Sequence, residues 1–399
     1  MRNNSSDRGK SRARIILTNL AFTALIIIAF AGVSEIVFRT THAFGTRISW
    51  FQPDPMIGYR AAPHAKYWTF NENDHPIAGR INNYGYRDRE WRTQKPENTV
   101  RIALLGDSSV EAYDVELDST FYRIAERRIN AMRGRKVEFM DFARSGFTQS
   151  EELLVLKNEV LRFSPDMALL FFLPGNDIAD VSKETTADWM RPFFSVAADG
   201  QLILDTGFAQ TRGYRARALV SRVKRHSALI SFLTERFNAY QRVRQAPAAA
   251  PSRGRTIMTG AEWAPYLTLC TAHPNPAYAR SYALTKTLIE AMSDCCRQNG
   301  VRFVVVSLDI PAYLPENEKA FASIDSTFNP NFFDDDMRAF AESLDIDYLG
   351  LERAFRQAYE EKGVPLHWAH WNYAGHRLVA DMLVHHLGPA IDSLERGDL

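Results

Sequence analysis

Met167-Ala168-Leu169-Leu170-Phe171-Phe172-Leu173 is apolar throughout. As a strand it has two greasy faces, and a parallel sheet with helices on both sides is the arrangement that covers both. The neighbouring segments agree. Val100–Leu105 reads as a strand, and Phe121, Ile124, Ala125, Ile129 and Met132 give Thr120–Met132 the spacing of a helix. Val137–Phe142 is a second strand, and Leu153, Leu154, Leu156, Val160 and Leu161 mark a second amphipathic helix. Farther on, Ala277–Asn299 reads as a helix, Val301–Leu308 and Ile346–Leu349 as strands, and Ala374–Leu387 as a last helix. Strands alternating with helices predict an α/β fold, a three-layer α/β/α sandwich with a mainly parallel sheet and right-handed crossovers.

The amino terminus adds a segment of another kind. Arg2, Arg8, Lys10, Arg12 and Arg14 precede Ile15–Ser34, a run with no charged residue. Twenty residues of helix reach roughly 30 Å, the thickness of a bilayer's hydrocarbon core. Basic residues are dense before the run and sparse after it (Arg39, Arg47), so the positive-inside rule leaves residues 1–14 in the cytoplasm as a basic tail and exports the rest. Ala29-Phe30-Ala31 has the form of a signal-peptidase site. The apolar run continues through Val33, Ile36, Val37 and Phe38, which favours an uncleaved transmembrane anchor over residues 15–38. Either way the main domain lies outside the cytoplasm, with the lipid bilayer as a partner of the N-terminal helix.

A net charge of +1 gives no footprint for nucleic acid. Cys270, Cys295 and Cys296 are too few for a disulfide framework; one bridge to Cys270 or three free thiols fit equally. Residues 46–98, rich in Pro, Asn, Gly and Tyr, read as an irregular extension of turns and short extended pieces. A large insertion at about 183–276 interrupts the 99–392 domain. It carries a basic helical stretch (Arg215, Arg217, Arg222, Lys224, Arg225) and a linker, Ala246-Pro247-Ala248-Ala249-Ala250-Pro251-Ser252, that should be cut early by proteases between Gln245 and Thr256. A lid and an inert decoration both fit the insertion. No feature sets an oligomeric state.

Chemistry gathers at the strand ends. Gly106-Asp107-Ser108 follows the first strand, Ser145-Gly146 the second, Gly175-Asn176-Asp177 the third, and His370-Trp371-Asn372 precedes the last helix. In one parallel sheet these loops meet at one edge, where ligands bind. Ser108 is the candidate nucleophile and His370 its base. The N–H groups of Ser108 and Gly146, with the Asn176 amide, are candidate oxyanion donors, and Gly106 and Asp107 shape the turn that carries the serine. His367, His370, His376, His385 and His386 have no carboxylate or cysteine arranged beside them in sequence, so no metal and no cofactor is expected.

These four blocks, in this order, resemble the SGNH hydrolases, the GDSL esterase and lipase superfamily, over residues 100–387. The resemblance implies a flavodoxin-like sandwich and serine ester chemistry. The form His370-Trp371-Asn372-x-x-Gly375-His376 is similar to the branch holding membrane-anchored alginate O-acetyltransferases, and the Asp-Pro-x-x-Gly-Tyr and Asn-x-x-Gly-Tyr-Arg pieces before the domain are similar to segments of bacterial anchored SGNH proteins. Two positions depart from the pattern. Ser109 stands where leucine is usual. The aspartate expected two or three residues before the histidine is missing, for Trp368 and His367 occupy those places. His367 cannot supply a negative charge, so the group orienting His370 should be a backbone carbonyl or a distant carboxylate such as Asp309 or one of Asp334–Asp336. The function implied is a membrane-anchored extracytoplasmic serine esterase acting on O-acyl groups, O-acetyl among them, of a cell-envelope or exported glycan. An O-acetyltransferase using the same site and a non-catalytic glycan-binding or assembly protein are the alternatives.

Overall fold

The computed structural model describes residues 4–41, 49–132, 136–245 and 260–396. The chain forms two units, one of residues 1–49 and 219–250 and the other of residues 50–218 and 251–399.

The larger unit opens with two antiparallel hairpins in the extension: β1 (Phe51–Asp54) with β2 (Gly58–Ala61), then β3 (Lys66–Phe70) with β4 (Pro76–Arg80). The extension therefore has regular structure, which turn chemistry alone does not reveal. Asp54 closes the first turn by accepting from the Met56 and Ile57 amides, and its other oxygen takes Arg60 Nε at 2.6 Å. Asn82 does the same at the Asn82-x-x-Gly85-Tyr86-Arg87 turn, accepting from the amides of Tyr84 and Tyr86 at 3.0 Å. Arg87 is fully buried, donating to the Tyr67 hydroxyl and to the carbonyls of Glu111 and Val115. It thus ties β3 to the loop that follows the candidate nucleophile.

The sheet has β5 (Thr99–Leu105), β6 (Lys136–Asp141) and β7 (Met167–Phe172), with a separate hairpin β8 (Phe193–Val196) and β9 (Leu202–Asp205), then β10 (Arg302–Ser307) and β11 (Asp347–Gly350). Its order is β11-β10-β7-β5-β6, and every pair is parallel. Side chains divide by alternation. Ile102, Leu104, Leu169, Phe171, Val304 and Val306 face the helices Phe121–Met132, Glu352–Lys362 and Tyr373–Arg396. Ala103, Leu105, Ala168, Leu170, Phe172 and Val305 face the helices Gln149–Asn158, Pro276–Gln298 and Phe332–Ser343. This is the three-layer α/β/α sandwich expected. All three cysteines are free and buried.

In the smaller unit a helix runs over Asn4–Thr41, and its Arg14–Thr41 part is long and apolar enough to cross a membrane. The helix Ala228–Gln245 packs against its last turns, Phe232 on Phe38 with ring centroids 4.8 Å apart. The linker expected to be cut by proteases lies, apart from Gln245, outside the described residues.

Leu170 has no exposure, so Leu170→Ala should cost ~2–5 kcal/mol in denaturant unfolding of the detergent-solubilised chain. Val196→Ala, at a position 48% exposed, should stay within ~0.5 kcal/mol. Equal effects would mean that the sheet is not the core of the fold.

Candidate active site

β5 delivers the chain to a turn that admits only glycine, since a Cβ on Gly106 would lie 2.6 Å from Val110 Cγ2. Asp107 then bonds on both sides: Oδ1 accepts from the Ser109 amide at 2.9 Å, and Oδ2 accepts from Asn176 Nδ2 at 3.0 Å. Ser108 begins a short helix, Ser108–Glu111, and its Oγ stands 2.8 Å from His370 Nε2.

Gly146 follows β6 at φ +78°, the left-handed region that favours glycine. Ser145 and the carbonyl of Gly146 itself are both pinned. Glu111 Oε2 accepts from the Ser145 amide at 2.7 Å and from its hydroxyl at 2.6 Å, while the Tyr59 hydroxyl donates to the Ser145 carbonyl. Arg191 donates to the Gly146 carbonyl at 2.6 Å and is itself held by Glu151 at 2.8 Å. Asn176 begins the helix after β7. One hydrogen of its amide goes to Asp107, which leaves the other. Among the described residues neither the Ser108 nor the Gly146 N–H has a protein acceptor. Ser108, Gly146 and Asn176 thus sit beyond the carboxyl ends of three adjacent strands, β5, β6 and β7.

The His370 loop is built from its own sequence. Trp371 Nε1 donates to Asp309 Oδ1, beyond β10, at 2.9 Å. Asn372 Oδ1 accepts from the amides of Ala374 and Gly375 at 2.9 and 3.1 Å, starting the helix Tyr373–Arg396.

A carboxylate reaches the ring from the extension. Glu72, in the β3–β4 turn, places Oε1 2.8 Å from His370 Nδ1. Its Oε2 accepts from the amides of Ala369 and His370 at 2.6 and 2.7 Å. Asp114 brings a second carboxylate, with Oδ2 3.3 Å from Nδ1. Asn71 locks the two together: its amide donates to the Asp114 carbonyl at 3.1 Å and its Oδ1 accepts from the amides of Asn73 and His75. Burial draws the His370 imidazole towards the neutral form. The Glu72 hydrogen bond and the charges of Asp114 and Glu72 outweigh it and hold the pKa up at about 9. Burial would raise Glu72, but its bonds from His370 and the two amides bring it below the ordinary carboxylate value. Asp114 is raised, by burial and by the Glu72 charge. The three residues offer ligand atoms within 4.8 Å of one another, compact enough for a cation, though the Glu72 oxygens and Nδ1 are already engaged in hydrogen bonds.

No protein family and no curated protein matches the sequence. Solved structures do match. A GDSL-like lipase from Bacteroides thetaiotaomicron is 12% identical, with 76% of this chain and 93% of that chain covered and a TM-score of 0.35. A lipase/acylhydrolase from Enterococcus faecalis is 13% identical over 73% and 96%, TM-score 0.35. The psychrotrophic esterase EstA from a Pseudoalteromonas species is 12% identical over 74% and 100%, TM-score 0.35.

Against the SGNH pattern, the distant carboxylates named from sequence go elsewhere. Asp309 Oδ2 lies 3.0 Å from His367 Nε2, so His367 has its own partner. Asp334 accepts from the Tyr348 hydroxyl at 2.7 Å, Asp335 pairs with Arg353 at 2.6 Å, and Asp336 accepts from Tyr282 at 2.8 Å. The carboxylates that stand beside His370 Nδ1 are Glu72 and Asp114, not Asp309 or Asp334–Asp336. Sequence reasoning missed Glu72 and Asp114. Glu72 sits in a polar turn, Asn71-Glu72-Asn73-Asp74, where a carboxylate is ordinary. The remaining histidines disperse: His376 is buried against Phe121, and His386 pairs with Asp347 at 3.2 Å.

A raised histidine pKa stabilises the fold below the unfolded value near 6.5, and that contribution is lost as pH climbs through about 9. In an NMR titration His370 should keep its proton until about pH 9. Glu72→Gln should bring the midpoint down. An ordinary midpoint in the unsubstituted protein would mean that the carboxylates do not act on the ring.

Proposed function

We propose that the chain is a membrane-anchored serine ester hydrolase of SGNH type, its main domain exported. The observation that carries the chemistry is the continuous line from Ser108 Oγ through the His370 ring to Glu72, with both hydrogen bonds at 2.8 Å. Ser108 Oγ attacks the ester carbonyl while His370 Nε2 takes its proton. The Ser108 and Gly146 N–H groups and the Asn176 amide receive the oxyanion, which collapses to an acyl-serine as the imidazolium protonates the departing alcohol. His370 then removes a proton from water, the hydroxide so formed attacks the acyl carbon, and the carboxylic acid leaves as Ser108 regains its proton. Glu72 keeps Nδ1 protonated and the ring angle set. A non-catalytic scaffold has no use for this relay.

The basic residues before Ile15–Ser34 support an anchor with a cytoplasmic amino terminus. The sequence resemblance supports an O-acyl group on an envelope or exported glycan as the substrate. Transfer of the acyl group to a sugar hydroxyl would use the same residues, with the sugar in place of water.

With p-nitrophenyl acetate as substrate, Ser108→Ala should abolish turnover, and Asn176→Ala should lower it roughly 10²–10³-fold while the fold is kept. Mass spectrometry should find an acyl adduct on Ser108, and added sugars will show whether it passes to water or to a hydroxyl. Full turnover in Ser108→Ala would refute the assignment.

A further inference from the structure

The exit end of the membrane-length helix is built into the fold of the smaller unit. Glu35, the first charged residue after the apolar run, caps the helix Ala228–Gln245. Its Oε1 accepts from the Ala228 amide at 2.9 Å, and its Oε2 accepts from the Ser227 hydroxyl at 2.8 Å and the Leu229 amide at 2.9 Å. Arg39 closes the junction by donating to Glu35 and to the His226 carbonyl. Phe38 packs on Phe232, and Ala228 and Ser231 are buried.

Around this junction the helical hairpin turns apolar side chains outward. Leu219, Val220 and Val223 lie before the turn, and Ile230, Leu233 and Phe237 follow it at helical spacing; Leu219 is 61% exposed and Phe237 59%. Arg222, Lys224 and Arg225 lie in and beside the turn itself. A stripe of large exposed apolar residues flanked by cations is the pattern of a helix lying in a lipid interface. We infer that the tip of this hairpin is embedded in the headgroup layer of the bilayer, with its apolar side chains among the upper acyl chains and its basic residues at the phosphates. The inference rests on Ile15–Ser34 being a membrane span. If that run fills the hydrocarbon core, Glu35 marks the core's edge, and the residues it caps start at that level. Continuity with the span selects lipid over a second copy or a partner protein as the occupant.

The test uses the full chain in vesicles of phosphatidylcholine and phosphatidylglycerol, with an environment-sensitive fluorophore on Leu233→Cys or Val220→Cys. Both positions are exposed, and the native cysteines are buried. A label on Ile26→Cys, inside the run, reports the span itself. Lipids carrying a shallow nitroxide should quench the Leu233 and Val220 labels severalfold, aqueous iodide should reach them poorly, and lipids carrying a nitroxide deep in the acyl chain should quench the Ile26 label. Quenching at Ile26 with open iodide access at Leu233 and Val220 would overturn the inference and leave the anchor standing. Labels shielded from both quenchers would overturn it in favour of a protein contact. No lipid quenching at Ile26 would remove the anchor, and the inference with it.

Discussion

The bond between Glu72 and His370 joins two parts of the larger unit that are far apart in sequence, and the geometry of the whole site depends on it. The β3–β4 turn must be seated to within a hydrogen-bond length of the histidine loop. That seating is secured by buried polar contacts. Arg87 holds β3 through Tyr67 and, with the same guanidinium, the carbonyls flanking Asp114. Trp50, Tyr67 and Tyr113 pack around it, with Trp50 Nε1 donating to the Tyr113 hydroxyl at 2.9 Å. Removing one partner of a buried charged network is costly, because the remaining groups are left desolvated and unpaired. The extension is thereby as much a part of the site as the sheet. Tyr59 adds a further link, from the first hairpin to the loop of the candidate oxyanion donor Gly146.

Two carboxylates on one imidazole change its character. The proton on His370 is held to about pH 9, so at neutrality the ring is mostly an imidazolium facing Ser108. A base of this strength takes the serine proton readily once it is neutral, but only a small fraction is neutral at pH 7. Asp114 is itself raised, by burial and by the Glu72 charge beside it.

The sandwich was legible because side-chain alternation is a local property. Leu169 and Phe171 go to one helical layer and Leu170 and Phe172 to the other, as a two-sided apolar run requires. Gly106, Ser108, Gly146, Asn176 and His370 were legible for a related reason. Each stands at a strand end or helix start whose position the alternation sets. Glu72 obeys no such rule, because 298 residues separate it from His370. Nothing in an Asn-Glu-Asn-Asp turn distinguishes a carboxylate that meets a histidine from one that meets water. His367 was set aside on charge, and its Nε2 lies against Asp309 rather than against His370.

The most direct test is ester turnover in Glu72→Ala set beside His367→Ala, each checked for retained fold. If Glu72 orients the ring, its loss should lower turnover by several orders of magnitude, as removing the acid of a working triad does, while His367→Ala should have a mild effect. Full turnover in Glu72→Ala, or a collapse in His367→Ala alone, would contradict a relay running from Ser108 through His370 to Glu72.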